Sequence, residues 1–418
     1  MDRTVVHLFA VLALLGCAAS APAAAPGGGD LTIVDARIYP SPEAAPIERG
    51  TLVIRDGRIV SVGTAGAAVP TPAGALIDAR GAVVTAGFWN SHVHLLTPPL
   101  LRARERPAAA LSAELEAMFT RWGFTSVFDL GSWFANTEVI RRRIASGEVL
   151  GPRIFTVGDP FFPEHGTPIY VRKFLADNGF PSFEVATAAE AAARAQRELA
   201  AGADGVKIFA GAIVGGDVGV LPMPLDIASA VVGEAHRAGK RAFAHPSNTA
   251  GLEVAIRSGV DVLAHTAPDA GPWNAALLAR MHAQHMALVP TLTLFEVENR
   301  KAGASAERVA QAIDVTVQQL KAFAGSGGPI LFGTDVGYTD EFDTTDEYRL
   351  VSRALGWREI LASLTASPAR RFTPESATLV PGAAADLTIL DGDPAADVTA
   401  FARVRYTIRA GSVVYRRQ

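Results

Sequence analysis

Six side chains stand out by type and by place: His92 and His94, one residue apart, then Lys207, His245, His265 and Asp335. Neutral imidazole nitrogens and carboxylate oxygens are suitable donors for zinc and similar divalent ions. Alternate residues of a strand share a face, so His92 and His94 can grip one ion together. One histidine at the end of an apolar run reads first as a packed core residue. Six polar groups at successive run ends read instead as one centre assembled from distant stretches. A divalent ion held there would lower the pKa of bound water and make hydroxide available near neutral pH. A serine or cysteine nucleophile is not needed: no Gly-x-Ser-x-Gly element is present, and Cys17, the only cysteine, lies outside the predicted fold.

These residues need elements that aim them at one point. Apolar runs that read as strands end at or near each of them: Phe88 to His94, Val206 to Phe209, Arg241 to His245, Val262 to His265 and Ile330 to Asp335. Further strands are predicted at Thr125 to Asp129, Arg153 to Val157 and Ala287 to Leu292, with helical patterns between them. Thr187-Ala-Ala-Glu190 reads as a capping box that opens one of those helices. The alternation predicts a (β/α)8 TIM barrel over residues 86–373, whose C-terminal strand ends carry the chemistry. A doubly wound sheet fits less well, because no glycine-rich phosphate loop follows the first strand. Residues 31–85 and 374–418 are β-rich, and Asp56-Gly57 is a two-residue hairpin signal. Both ends are expected to build one small β-sandwich domain.

The motifs together resemble the amidohydrolase superfamily, in particular its imidazolonepropionase-like and Xaa-Pro-dipeptidase-like members. They are Gly87-Phe-Trp-Asn-Ser-His-Val-His94, Gly202-Ala-Asp-Gly-Val-Lys-Ile-Phe209, Ala242-Phe-Ala-His245, Val260-Asp-Val-Leu-Ala-His265, Ile330-Leu-Phe-Gly-Thr-Asp335 and the closing Pro381-Gly-Ala-Ala-Ala-Asp-Leu-Thr-Ile-Leu390. The resemblance implies two divalent metal ions, zinc being the first candidate. His92, His94 and Asp335 would hold one ion, and His245 and His265 the other. Lys207, carboxylated by CO2, would bridge the two as an anion. Val206 and Ile208 should point away from Lys207, leaving it free to face the barrel mouth. Metal-activated hydroxide would attack a small-molecule amide or peptide-like C–N bond, with Asp335 as general acid and base. Two departures bear on this. Asn90 stands where many relatives have Asp, and His245 is followed by Pro246-Ser-Asn248 where dipeptidase-like relatives often have another histidine.

Substrate contacts are expected from the loop after the third strand, where His165 and Tyr170 are the candidates. Trp133, Trp273 and Phe295 follow other strands and suit either an apolar pocket or the core. Two other readings stay open. One is a mononuclear deaminase or cyclic-amide hydrolase with Lys207 unmodified. The other is a non-catalytic binding lipoprotein on a degenerate barrel.

The 418 residues carry 38 basic and 42 acidic side chains, a net charge of −4, so no basic excess suggests nucleic acid as a partner. A small-molecule substrate is expected, and a homo-oligomer is left open. Arg3 followed by the apolar run Val5 to Gly16 reads as a signal peptide over residues 1–17. Leu14-Leu-Gly-Cys17 resembles a lipoprotein processing site, which implies a periplasmic protein anchored to a membrane through lipid on Cys17. Ordinary secretion with cleavage near Ala19-Ser-Ala21 is the alternative. Residues 18–30, rich in Ala, Pro and Gly, read as a flexible tether.

Overall fold

The computed structural model describes residues 29–64, 74–375 and 377–418. The predicted signal peptide and all but the last two residues of the predicted tether lie outside the described residues.

Strands from both ends of the chain join one eight-stranded sheet. Its order runs Ser412–Arg416, Val404–Arg409, Leu387–Leu390, Val83–Ala86, Leu31–Ile38, Ile47–Arg55 and Arg58–Thr64, with Ala75–Asp78 also paired to Leu31–Ile38. The predicted hairpin turns at Asp56 and Gly57, whose φ values of 49° and 71° are those a type I′ turn requires. Leu387–Leu390 lies antiparallel against Val83–Ala86, which stitches the C-terminal segment to the N-terminal one. Ile33, Leu52 and Ile59 from one side and Leu387, Ile389 and Ile408 from the other share a single buried cluster, so the sheet encloses a core of its own.

Between these ends the chain alternates strand and helix. Phe88–Val93, Phe124–Asp129 and Arg153–Thr156 pair in parallel. Gly205–Phe209, Arg241–His245, Val262–Ala264 and Ala287–Val289 form a second parallel set. Phe161 links the two, donating its N–H to the Lys207 carbonyl at 2.8 Å and accepting from Phe209 N–H at 2.9 Å. The helices pack outside. Thr187 caps one through its hydroxyl to Glu190 N–H at 3.2 Å, while the Glu190 carboxylate reaches back to Ala186 N–H rather than to Thr187. Phe128, Phe243, Val262, Val289 and Leu331 form a buried cluster of their own inside the ring of strands.

The predicted eighth strand, Ile330 to Asp335, departs from regular geometry. It joins its neighbours through single bridges, Leu288 to Ile330 and Val93 to Val336. Two local causes account for this. Asp335 adopts φ 61°, outside the strand region. Gly333 passes so close to its neighbours that a Cβ there would lie 2.3 Å from Val289 Cγ1 and 2.9 Å from His92 Cβ. The segment nevertheless completes the ring, because Leu331 N–H bonds to Leu288 O at 2.9 Å and Ser91 N–H to Phe332 O at 2.7 Å.

Candidate metal centre

The six polar residues singled out above line one cavity at the C-terminal ends of the barrel strands. His92 Nε2 and His94 Nε2 each lie 3.1 Å from Asp335 Oδ1, and His265 Nε2 lies 4.0 Å from Asp335 Oδ2. The His92 and His265 rings are 4.5 Å apart between centroids, and those of His245 and His265 4.6 Å. Strand alternation sets Lys207 as expected: Val206 and Ile208 join the apolar cluster with the helices, while Lys207, 1% exposed, faces the cavity.

Backbone breaks aim several of these groups. Val262–Ala264 and Ala287–Val289 stop short of their predicted ends, and the residues that follow turn to positive φ: His265 at 80° and Thr291 at 46°. With Asp335 and Ser247, the latter at 56°, four non-glycine residues beside one cavity hold a conformation that costs about 1–3 kcal/mol each. Such strain persists only where surrounding contacts impose it.

For two of the rings, His94 and His265, contacts also fix which nitrogen is free. His94 Nδ1 lies 3.1 Å from the Gly131 carbonyl, which can only accept, so Nδ1 carries the proton and Nε2 keeps its lone pair. Thr291 donates its hydroxyl to Pro290 O at 2.8 Å and so accepts from His265 Nδ1 at 2.7 Å, leaving His265 Nε2 free toward Asp335. Asn90 braces the backbone. Its amide donates to Thr334 Oγ1 at 2.8 Å, and its carbonyl accepts from Thr334 N–H at 3.2 Å and His92 N–H at 3.3 Å. An aspartate at this position could not make the first of these bonds as a donor, so asparagine ties the first strand to the Asp335 segment in its own way.

The centre could hold a cation. His92, His265 and Asp335 bring ligand atoms within 4.8 Å of one another, all three buried. Despite the 3.1 Å approach, His92 Nε2 and Asp335 Oδ1 have no hydrogen-bond partner of acceptable geometry among the described residues. Buried polar atoms left unpaired are costly, and a shared ion would satisfy both. Burial, assisted by the charge of Lys207, pushes His92 down to about 4 and His245 to about 3, so both rings are neutral at pH 7. Burial raises Asp335, but His92, His94 and His265 more than offset it and hold the carboxyl well below its usual range. Burial lowers Lys207 to about 7, so a large share of its amine is uncharged near neutrality.

The cavity has a volume of about 450 Å³ and a mainly aromatic and aliphatic lining. Tyr170 lines it, with its ring 5.2 Å from that of Tyr338. Burial, with Tyr338 and Asp335 nearby, raises the Tyr170 phenol well above its ordinary value, so it stays a hydrogen-bond donor. His165 is not brought to the cavity. It is exposed in a turn at φ 61°, because the Glu184 carboxylate draws the His165 N–H and Thr167 N–H, each at 3.0 Å, to one side of the loop. Trp133 and Phe295 line the cavity, whereas Trp273 is buried against Phe323. Glu298 and Tyr338 also line it and were not foreseen. Leu294 and Glu298 are four apart on the helix Leu292–Lys301, and that spacing on one helical face was the available signal.

A parallel α/β barrel with a histidine-rich cluster at its strand ends that could hold a divalent ion is the arrangement of a barrel enzyme. The model of the amidohydrolase family matches residues 83–414. The chain belongs to that family and is accordingly a hydrolase acting on carbon–nitrogen bonds. No curated protein matches it. Among solved structures it is similar to a Xaa-Pro dipeptidase with methionine bound in the active site, at 21% identity and TM-score 0.77, covering 93% of this chain and 100% of that one. It is also similar to a prolidase complexed with N-methylphosphonate-L-proline, at 24% identity and TM-score 0.74, covering 93% and 100%. An A. niger ochratoxinase aligns at 20% identity and TM-score 0.74, covering 93% and 96%. These likenesses concern the fold.

Proposed function

We propose that the centre holds two divalent ions and hydrolyses an amide-type bond of a small molecule. His92, His94 and Asp335 would hold one ion and His245 and His265 the other, and a carboxylated Lys207 would supply an anionic ligand between them. Bound there, the ions supply a nucleophile at neutral pH and polarise the scissile carbonyl. The protein's own groups do the rest. Asp335 accepts the proton of the attacking water and delivers it to the leaving nitrogen as the C–N bond breaks, giving an acid and an amine. Tyr170, kept protonated, donates to the carbonyl oxygen. The apolar walls keep bulk water from the reacting atoms.

The observation that carries this reading is the pair of unpartnered buried atoms, His92 Nε2 and Asp335 Oδ1, facing each other among neutral imidazoles. Chelation should abolish hydrolysis of an N-acyl amide, and zinc or manganese should restore it. Turnover that survives complete metal removal would reject the reading. A one-ion reading with Lys207 unmodified draws on a different fact: the compact group His92, His265 and Asp335 takes members from both proposed sets. Metal stoichiometry separates the two. For the segment outside the described residues we propose export, with lipid on Cys17; loss of membrane association in Cys17→Ser is its test.

A further inference from the structure

The chamber around the centre has a marked chemical bias. Trp133, Phe162, Phe174, Phe180, Phe209 and Phe295 contribute rings to its lining. Among the described residues that line it, Lys207 is the sole lysine or arginine, and Lys207 belongs to the centre itself. The remaining charged side chains of the lining, apart from Asp335, are the acids Asp269 and Glu298. Glu298 Oε1 is buried without a hydrogen-bond partner among the described residues. Its nearest cation, Lys301 Nζ at 3.5 Å, sits on an exposed side chain that is not part of the lining. Aromatic walls bind aryl faces well, through apolar burial and offset or edge-on ring contacts. The phenylalanine rings give a carboxylate nothing in return for its lost hydration, and the buried Glu298 oxygen adds like-charge repulsion.

We infer that the chamber selects neutral aromatic amides and discriminates against substrates that carry a free carboxylate, with Glu298 as the specificity-determining residue. This rests on reading the centre as hydrolytic and deepens that reading by naming the substrate class. The substrate presents an aryl or arylalkyl group to the rings and its amide carbonyl to the centre. A cationic group on the far side would be tolerated beside Glu298, whereas an anion is turned away.

Two probes of nearly the same shape, one neutral and one anionic, test this: N-phenylacetylglycinamide and N-phenylacetylglycine. With metal-loaded enzyme, kcat/KM should favour the neutral amide by at least about tenfold, and Glu298→Lys should cut that preference by about tenfold. Preference for the acid, or a preference that Glu298→Lys leaves unaltered, overturns the inference. A binding arm keeps the test independent of catalysis. Quenching of tryptophan fluorescence in metal-free protein should show 3-phenylpropanol binding at least about tenfold more tightly than 3-phenylpropionate, with Trp133→Phe assigning the signal. Equal or tighter binding of the anion overturns the inference. If neither amide is turned over but the binding preference is found, the hydrolytic reading fails and the chamber assignment stands.

Discussion

His265 donates its Nδ1–H to the Thr291 hydroxyl across 2.7 Å, and both residues sit at positive φ, 80° and 46°. The strained turn after one barrel strand thus holds the strained histidine after its neighbour in the tautomer that leaves Nε2 free. Replacing Thr291 with Ala removes the acceptor and leaves the ring free to rotate. Metal affinity should fall about 10–100-fold, and Thr291→Ser should recover most of it. Equal metal affinity in Thr291→Ala and the parent would reject this role.

In the proposed mechanism Asp335 both holds an ion and carries a proton. Asparagine keeps an oxygen donor and tolerates the φ of 61°, so Asp335→Asn should fold. Its kcat should drop by about 10²–10⁴, the range for a lost general acid–base group. A variant with parental kcat would remove Asp335 from proton transfer.

Glu347 clamps the wall of the chamber. Its carboxylate accepts from Leu292 N–H at 2.8 Å and from Thr293 N–H and hydroxyl at 2.7 Å, at the start of the helix that carries Phe295 and Glu298. Burial raises it from 4.5 to about 7 against the pull of these donors. The folded protein therefore binds a proton that the unfolded chain has released between pH 4.5 and 7. That contribution is full below 4.5 and is lost as the pH rises through 7. Relative to Glu347→Gln, the parent should lose unfolding free energy over this window, on the order of 3 kcal/mol at most. Denaturant melts of both proteins across pH 4.5 to 8 check it, and a flat difference would contradict it.

The barrel strands and the centre were legible because each group ends an apolar run, and period-two alternation sets the direction of Lys207 without tertiary information. The eighth strand is less regular than its apolar run implies. Close approach at Gly333 and the turned backbone of Asp335 are contact effects that a hydrophobic pattern does not encode. His165 was placed at the mouth by its position in the chain, but Glu184, nineteen residues later, holds its loop the other way. The places of Glu298 and Tyr338 depend on distant contacts in a similar way. The helix that presents Glu298 begins where Thr291 leaves the strand path and Glu347, some fifty residues on, grips it.

The most direct test of the account is the metal content of the purified protein, measured by mass spectrometry after reconstitution with zinc and bicarbonate. Two ions per chain are predicted, falling to one or none in Lys207→Ala while His236→Ala, a residue hydrogen-bonded to Asp261 away from the centre, keeps both. A single ion per chain that Lys207→Ala leaves in place would contradict the bridged two-ion centre.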